Sequence, residues 1–432
     1  MLAVFFANVR HTDKHFWKVL ISSMIGNALE WYDFMLYGYC AAVIGALFFP
    51  ANDAFSSMLA TYGVFFVGFV MRPLGGVLFG YLGDRIGRKR ALVWSIYCMA
   101  IPTALIGALP TYAQIGWLAP VLLTTLRLFQ GISMGGEFTG SIVFVVEHAD
   151  SRNRGFWGSW TTCSAAIGVL IGSFICVTVG ALLNDAEFLS WGWRIPFLLS
   201  ITGSMVGAFV RNRLQEPRAF TQYGASDSSW KTLFTRHRKA LIQLIGLDVV
   251  VAVGFFTICL FIVNYLQNFV GISYYQATCI TTIATLGFAF SIPVSGYYSD
   301  HFGRKPVLRF ASLLLMCIAI PAFFALSTGN LYAIFVAQFL LNIVFGVYYG
   351  VIPSAIVELF PPYVRCLGVS LGHNLAMMFF GGTAPTLAVF FIKQAGDRSF
   401  ALITPGIYLA LAALISFGVT FWIKETYRKS IS

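Results

Sequence analysis

The sequence predicts an all-α polytopic membrane protein, with twelve transmembrane helices arranged as two pseudo-symmetric six-helix halves. Three observations predict it. The 432 residues are 58% hydrophobic and only 10% charged, with a mean hydropathy of +0.78, whereas soluble domains carry about 25% charged residues. Apolar stretches of about 20 residues, the length that crosses the hydrocarbon core, follow one another almost end to end. A ten-residue loop also recurs at an offset of 216 residues, half the chain.

Taking polar breaks and turn formers as punctuation, the first six spans run approximately over 17 to 49, 58 to 82, 91 to 110, 116 to 146, 156 to 182 and 194 to 211. The second six run approximately over 241 to 267, 275 to 299, 307 to 328, 331 to 359, 366 to 393 and 399 to 423. The longest polar break lies at the midpoint, rich in Arg, Ser, Gln and Lys. It divides the chain into an amino-terminal half (1–211), a linker (212–240) and a carboxyl-terminal half (241–432). The N-terminus carries Arg10, Lys14 and Lys18, but no small-residue cleavage site closes the first span, so a retained helix is expected rather than a signal peptide.

The net charge of +11 would suggest nucleic acid in a soluble protein. Here the charges alternate with the spans. The breaks after spans two, four, six, eight and ten, with both termini, hold about 23 of the 28 Lys and Arg. By the positive-inside rule this expects both termini and the linker in the cytoplasm, and no nucleic-acid partner is needed. The eight Cys are scattered singly with no CxxC spacing, which reads as small buried hydrophobes rather than a disulfide or zinc framework. HExxH, GxSxG and Walker loops are lacking. No enzyme activity, metal or cofactor is expected, and a non-transporting receptor is a remote alternative.

The recurring loop is Gly80-Tyr81-Leu82-Gly83-Asp84-Arg85-Ile86-Gly87-Arg88-Lys89 after span two and Gly296-Tyr297-Tyr298-Ser299-Asp300-His301-Phe302-Gly303-Arg304-Lys305 after span eight, identical at six of ten positions. A second echo pairs Val146-Glu147 and Arg154-Gly155 with Val357-Glu358, Arg365 and Gly368. Matching loops at matching places argue for duplication. The glycines permit tight turns and close helix approach. Asp84 and Asp300 can accept charge-assisted bonds from Arg or cap a neighbouring helix N-terminus.

Charges inside spans cost about 2.5–3.5 kcal/mol each on insertion scales, so each needs a partner, a cavity or a task. At 100° per residue, Asn27, Glu30 and Tyr37 in span one fall within about 80° of one another, with Asp33 about 60° beyond Glu30. Arg127, Gln130 and Glu137 form a similar stripe on span four. A carboxylate of span one facing Arg127 feels the opposed influences of a neighbouring cation and of desolvation, so proton or solute arrival can switch it. A permanent structural pair is the alternative. Arg72, before Pro73 and Gly75-Gly76, suits capture of a carboxylate or neutralisation of a span-one acid. Asp248 and His373 read more as hydrogen-bonded packing residues. With these charges concentrated early, the amino-terminal half is expected to carry the proton and the carboxyl-terminal half to close around the solute.

GYLGDRIGRKR and its copy GYYSDHFGRKP resemble the loop signature of the major facilitator superfamily. The resemblance implies that Asp84, Arg88, Asp300 and Arg304 help latch the halves together. Gly26-Asn27-Ala28-Leu29-Glu30-Trp31-Tyr32-Asp33-Phe34, Arg72-Pro73-Leu74-Gly75-Gly76, Leu126-Arg127-Leu128-Phe129-Gln130-Gly131 and Trp191-Gly192-Trp193-Arg194-Ile195-Pro196-Phe197 are similar to motifs of its metabolite:proton symporter family. That resemblance implies a monomeric transporter of the bacterial inner membrane, carrying a small solute with protons by alternating access. Glu30, Asp33, Arg127 and Glu137 are the expected proton-coupling residues, and Asn27, Tyr37, Arg72, Gln130 and Arg194 the expected solute contacts. A zwitterionic or carboxylated metabolite such as proline or betaine is the leading substrate class. A di- or tricarboxylate such as 2-oxoglutarate or citrate, clamped by Arg72 and Arg194, is the alternative. Members carrying proline and betaine have a charged carboxyl-terminal coiled coil linked to osmotic sensing, and this chain has about nine residues after its last span. Osmotic sensing is therefore not expected.

Overall fold

In the computed structural model, described for residues 14–50, 54–86, 88–212, 230–396 and 400–428, the chain is helical and contains no strand among those residues. The first half comprises α1 (Lys14–Tyr39, continued by Ala41–Phe48), α2 (Ala54–Val70 and Arg72–Ile86), α3 (Arg88–Ala108), α4 (Leu118–His148), α5 (Arg154–Leu182) and α6 (Arg194–Asn212). The second comprises α7 (Arg238–Val270), α8 (Tyr274–Phe302), α9 (Arg304–Ser327), α10 (Leu331–Val357), α11 (Pro362–Ala395) and α12 (Thr404–Trp422). Among the described residues nine helices are long and apolar enough to cross a membrane, ten if the bent pair forming α1 counts as one. Of the other two, α3 is apolar over the shorter stretch Val93–Ala108 and α6 begins at Arg194. All twelve expected spans are thus present as helices.

Two features depart from straight spans. α1 turns by 58° at Cys40, where the chain leaves helical geometry before Ala41. α7 and α11 contain π-helical turns at Phe255–Phe261, Leu266–Val270 and Met377–Gly381, irregularities that often mark functional sites.

Packing repeats between the halves. α1 packs on α5, α2 and α3 on α4, and α3 on α6; equivalently α7 packs on α11, α8 and α9 on α10, and α9 on α12. The seam is formed by α5 against α8 and α10, matched by α11 against α2 and α4. Close approach needs small residues because lipid gives no hydrophobic drive between helices. A Cβ on Gly135 of α4 would lie 2.1 Å from the Arg72 carbonyl oxygen of α2, so only glycine lets these backbones touch. Phe174, Met205, Phe290, Phe310 and Phe324 are among the exposed apolar side chains, as expected where the surrounding solvent is lipid. α7 instead is buried throughout its middle, at every residue from Gly246 to Val263.

Candidate functional site

Most of the charged side chains inside the spans of the first half gather in three places. In the first, Glu30 and Asp33 of α1 and Glu137 of α4 line one cavity with Ser95, Ser133 and Ser204, scarcely large enough for a water molecule. The Ser95 hydroxyl donates to Glu137 Oε2 at 2.5 Å, and Ser133 donates to the Ser95 carbonyl. Asp33 also faces the hydroxyls of Ser200 and Thr103. The 3.6-residue period alone sets these acids on one side of their helices; the packing of α1, α3, α4 and α6 closes the space around them.

Arg127 occupies the second place. Its guanidinium lies 4.5 Å from the Phe34 ring, 4.4 Å from Tyr37 and 5.3 Å from Phe65, a cage suited to a planar, weakly hydrated cation. Arg127 Nη1 donates to Gln130 Oε1 at 2.8 Å, and Gln130 Nε2 donates to Thr103 Oγ1 at 2.7 Å. Nε and Nη2 make no hydrogen bond, and no carboxylate lies within ion-pairing distance of Arg127 among the described residues. The alternative of a permanent ion pair between a span-one acid and Arg127 therefore has no counterpart among the described residues. A line of neutral groups, Gln130 and Thr103, stands between Arg127 and Asp33 instead, because the guanidinium turns onto the aromatic face of α1. Tyr37 also donates to the Thr61 carbonyl at 3.0 Å, which holds its ring against Arg127.

The third place bridges the halves. Arg72, fully buried, donates from Nε to Asn374 Oδ1 of α11 at 3.0 Å. Asn374 Nδ2 in turn donates to the Gly135 carbonyl of α4 at 2.7 Å. Both terminal nitrogens of Arg72 lack a hydrogen bond among the described residues, while Glu30 and Tyr349 act on it electrostatically. Tyr349 in turn packs on Phe255 at 5.9 Å, and Phe255 on Trp31 at 4.6 Å. Nothing in the sequence singled out Asn374 or Tyr349, which are neutral residues in apolar spans.

Two expected solute contacts do not join these places. Asn27 uses both ends of its amide within the first half, donating to the Thr161 carbonyl at 3.2 Å and accepting from Ser141 at 2.9 Å. Arg194 donates from Nη1 to the Gly107 and Leu109 carbonyls at 2.8 and 2.6 Å and stacks on Trp193 at 4.5 Å. It satisfies the orphan carbonyls at the C-terminus of α3, where a cation is favoured, so its charge is committed away from the seam.

At the end of the bundle carrying the repeated loops, Asp300 accepts from the backbone amides of Gly155 (2.9 Å) and Phe156 (2.7 Å) and from Arg304 Nη1 (2.7 Å). Both readings of this acid apply together: it caps the N-terminus of α5 across the seam and pairs with an arginine. Arg304 Nη2 lies 3.2 Å from Glu358, which also meets Arg154 at 3.5 Å and accepts from Thr426. Arg365 meets Glu147 at 2.9 Å. The second sequence echo thus supplies the partners of this cluster. A Cβ on Gly155 would stand 2.4 Å from Arg304 Nη1 and 2.7 Å from Asp300 Oδ1, so a larger residue there displaces the ends of both side chains. The side chains of Asp84 and Arg88 lie outside the described residues. No group of three or more His, Cys, Asp or Glu is placed to hold a metal among the described residues.

Comparison with known proteins bears on the family of the chain. A family model for sugar (and other) transporters matches residues 18–222, and one for the major facilitator superfamily matches 244–431. The proline/betaine transporter of Salmonella typhimurium is 34% identical over 427 residues, covering 96% of this chain and 84% of the relative. The citrate-proton symporter of Klebsiella pneumoniae is 31% identical over 409 residues, covering 94% and 90%. The solved proton:xylose symporter bound to 6-bromo-6-deoxy-D-glucose superimposes with a TM-score of 0.77 at 16% identity, covering 96% of this chain and 98% of that one, a likeness of fold alone. This multi-pass membrane protein therefore belongs to the major facilitator superfamily, a family of transporters and not of enzymes.

Proposed function

We propose that the protein is a proton-coupled symporter of a small zwitterionic or carboxylated metabolite such as proline or betaine. The observation that carries this is Arg72: a buried cation tied by one nitrogen to the opposite half, with its two terminal nitrogens lacking a hydrogen bond among the described residues. That fork matches one carboxylate. Trp31, Phe255 and Tyr349 nearby offer π-faces for a positively charged nitrogen. Glu30, Asp33 and Glu137 share a cavity within the same half and are assigned the proton, while Arg127, held by Tyr37 and Gln130, responds to their charge. Binding between the halves, followed by rocking about the seam, gives alternating access.

Asp300 and Arg304, with Asp84 and Arg88 by duplication, form the latch that holds one access path shut. The chain divides at 1–211, 212–240 and 241–432. It works as a monomer in a bacterial inner membrane with both termini and the latch on the cytoplasmic side, as the distribution of Lys and Arg supports. A di- or tricarboxylate substrate is the second reading, favoured by the resemblance to a citrate-proton symporter. It has less support because Arg194, its second clamp, is engaged at the end of α3. Counterflow in proteoliposomes, setting proline and betaine against 2-oxoglutarate and citrate, separates the two. No uptake of any of these with an imposed pH gradient would defeat both.

A further inference from the structure

A second pair of buried titratable groups lies on the carboxyl-terminal side of the seam. His373 Nδ1 is 2.8 Å from Asp248 Oδ2, joining α11 to α7, and both side chains are buried. The outward atom of each, His373 Nε2 and Asp248 Oδ1, makes no hydrogen bond among the described residues. A histidine that served packing alone would be expected to have both ring nitrogens satisfied at this depth. Here one nitrogen is oriented by a carboxylate and the other left open, an arrangement that sets the tautomer and turns the Nε2 lone pair away from the carboxylate.

The surroundings tie this pair to the seam. Phe138 of α4, from the other half, packs on the imidazole at 5.2 Å. The next residue, Asn374, holds Arg72 of α2 and the Gly135 carbonyl of α4. From α10 come Tyr348, whose hydroxyl donates to the Leu247 carbonyl, and Tyr349, whose hydroxyl lacks a hydrogen bond. α7 itself adds the Cys259 thiol, and α12 adds the Ser416 hydroxyl, which donates to the Gly246 carbonyl. Tyr349 lies within electrostatic reach of Asp248, Arg72 and Glu30 together. Tyr349 is thus a common neighbour of Asp248 and of the groups assigned to solute and proton.

We infer that Asp248 and His373 form a second proton-binding site, on the carboxyl-terminal half, filled and emptied once in each transport cycle. The inference rests on the proton-coupled reading above. In the unfilled state Asp248 is a carboxylate and the neutral imidazole donates its Nδ1–H to Oδ2. An incoming proton from water bonds to the Nε2 lone pair, giving imidazolium beside carboxylate and changing the pair from −1 to neutral; the reverse step returns it to water. Parting of α11 from α2 and α4 uncovers the imidazole, so access to Nε2 alternates with the halves.

The test is the dependence of proline accumulation on an imposed pH gradient in proteoliposomes, for the native protein and for His373→Asn. Asparagine keeps a donor near the Nδ1 position and cannot take the proton. Each coupled proton multiplies the limiting accumulation by about tenfold per pH unit of gradient. The expected slope of log accumulation against gradient is two for the native protein and one for the variant, a limit that partial loss of active protein does not alter. Equal slopes overturn the second site and leave the proton-coupled reading intact. Proline counterflow without any gradient-driven accumulation by the native protein overturns both. Should the variant fail to fold, proton uptake on adding proline to the purified native protein, followed with an indicator dye between about pH 5 and 8, decides instead. A component in the histidine range supports the site, and its absence refutes it.

Discussion

Asp300→Asn probes the latch most directly. The carboxylate receives two backbone amides from the start of α5 and one guanidinium nitrogen, all within 2.9 Å. Asparagine with its oxygen at the Oδ1 position keeps the Gly155 and Arg304 bonds to a neutral acceptor and turns an NH2 toward the Phe156 amide, so one charge-assisted bond is lost and two are weakened. Such bonds are worth about 1.5–3 kcal/mol each. Allowing for water that replaces part of this on opening, the latched arrangement loses about 3 kcal/mol. At about 1.4 kcal/mol per factor of ten, that is roughly a 100-fold shift toward the unlatched state. Hydrogen exchange of the peptide spanning residues 150 to 160 reads it, since the Gly155 and Phe156 amides are the ones Asp300 protects. Their exchange is expected to quicken by a similar factor, while a peptide from the middle of α9 stays unchanged. Unaltered protection at Gly155 and Phe156 would refute the reasoning.

Other perturbations test other parts. Glu30→Gln is expected to lower the slope of log accumulation against pH gradient from two to one, the remaining proton being carried at Asp248 and His373; an unchanged slope would move the amino-terminal coupling to Asp33 or Glu137. Arg127→Ala should reduce transport more than Arg127→Lys. The lysine keeps a cation over Phe34 and Tyr37, an interaction of about 2 kcal/mol when desolvated, and equal losses on initial-rate measurement would point to the planar bond to Gln130 as the essential feature. Gly135→Ala places a methyl 2.1 Å from the Arg72 carbonyl and 2.4 Å from the Gly76 nitrogen. Because backbone cannot yield as a side chain can, a cost of at least about 3 kcal/mol and a marked fall in melting temperature are expected; a melting curve like that of the native protein would contradict the close α2–α4 contact.

Much of the fold was legible because a bilayer imposes simple demands. Each span must be about 20 apolar residues and must satisfy its own backbone, so hydropathy marked all twelve helices to within a few residues. What hydropathy missed was local: the bend at Cys40 and the π-turns at Phe255 and Met377 follow from side-chain packing against neighbours, which no one-dimensional profile contains.

For the site, helical period placed Glu30 and Asp33 on neighbouring faces of α1, and Arg127 with Gln130 on one face of α4, since 3.6 residues per turn is a property of the chain itself. The duplicated loop likewise pointed to Asp300 and Arg304, and its echo to Glu147, Arg154, Glu358 and Arg365. Which of these groups meet was decided only by tertiary structure. Arg127 faces rings rather than a carboxylate, Arg72 reaches Asn374 some 300 residues away in sequence, Arg194 closes the end of α3, and Asp248 finds His373 across two helices. Partner choice depends on which helix faces pack together and how far each side chain reaches. The sequence records composition and period, whereas the pairing of buried charges is a property of the seam between the halves.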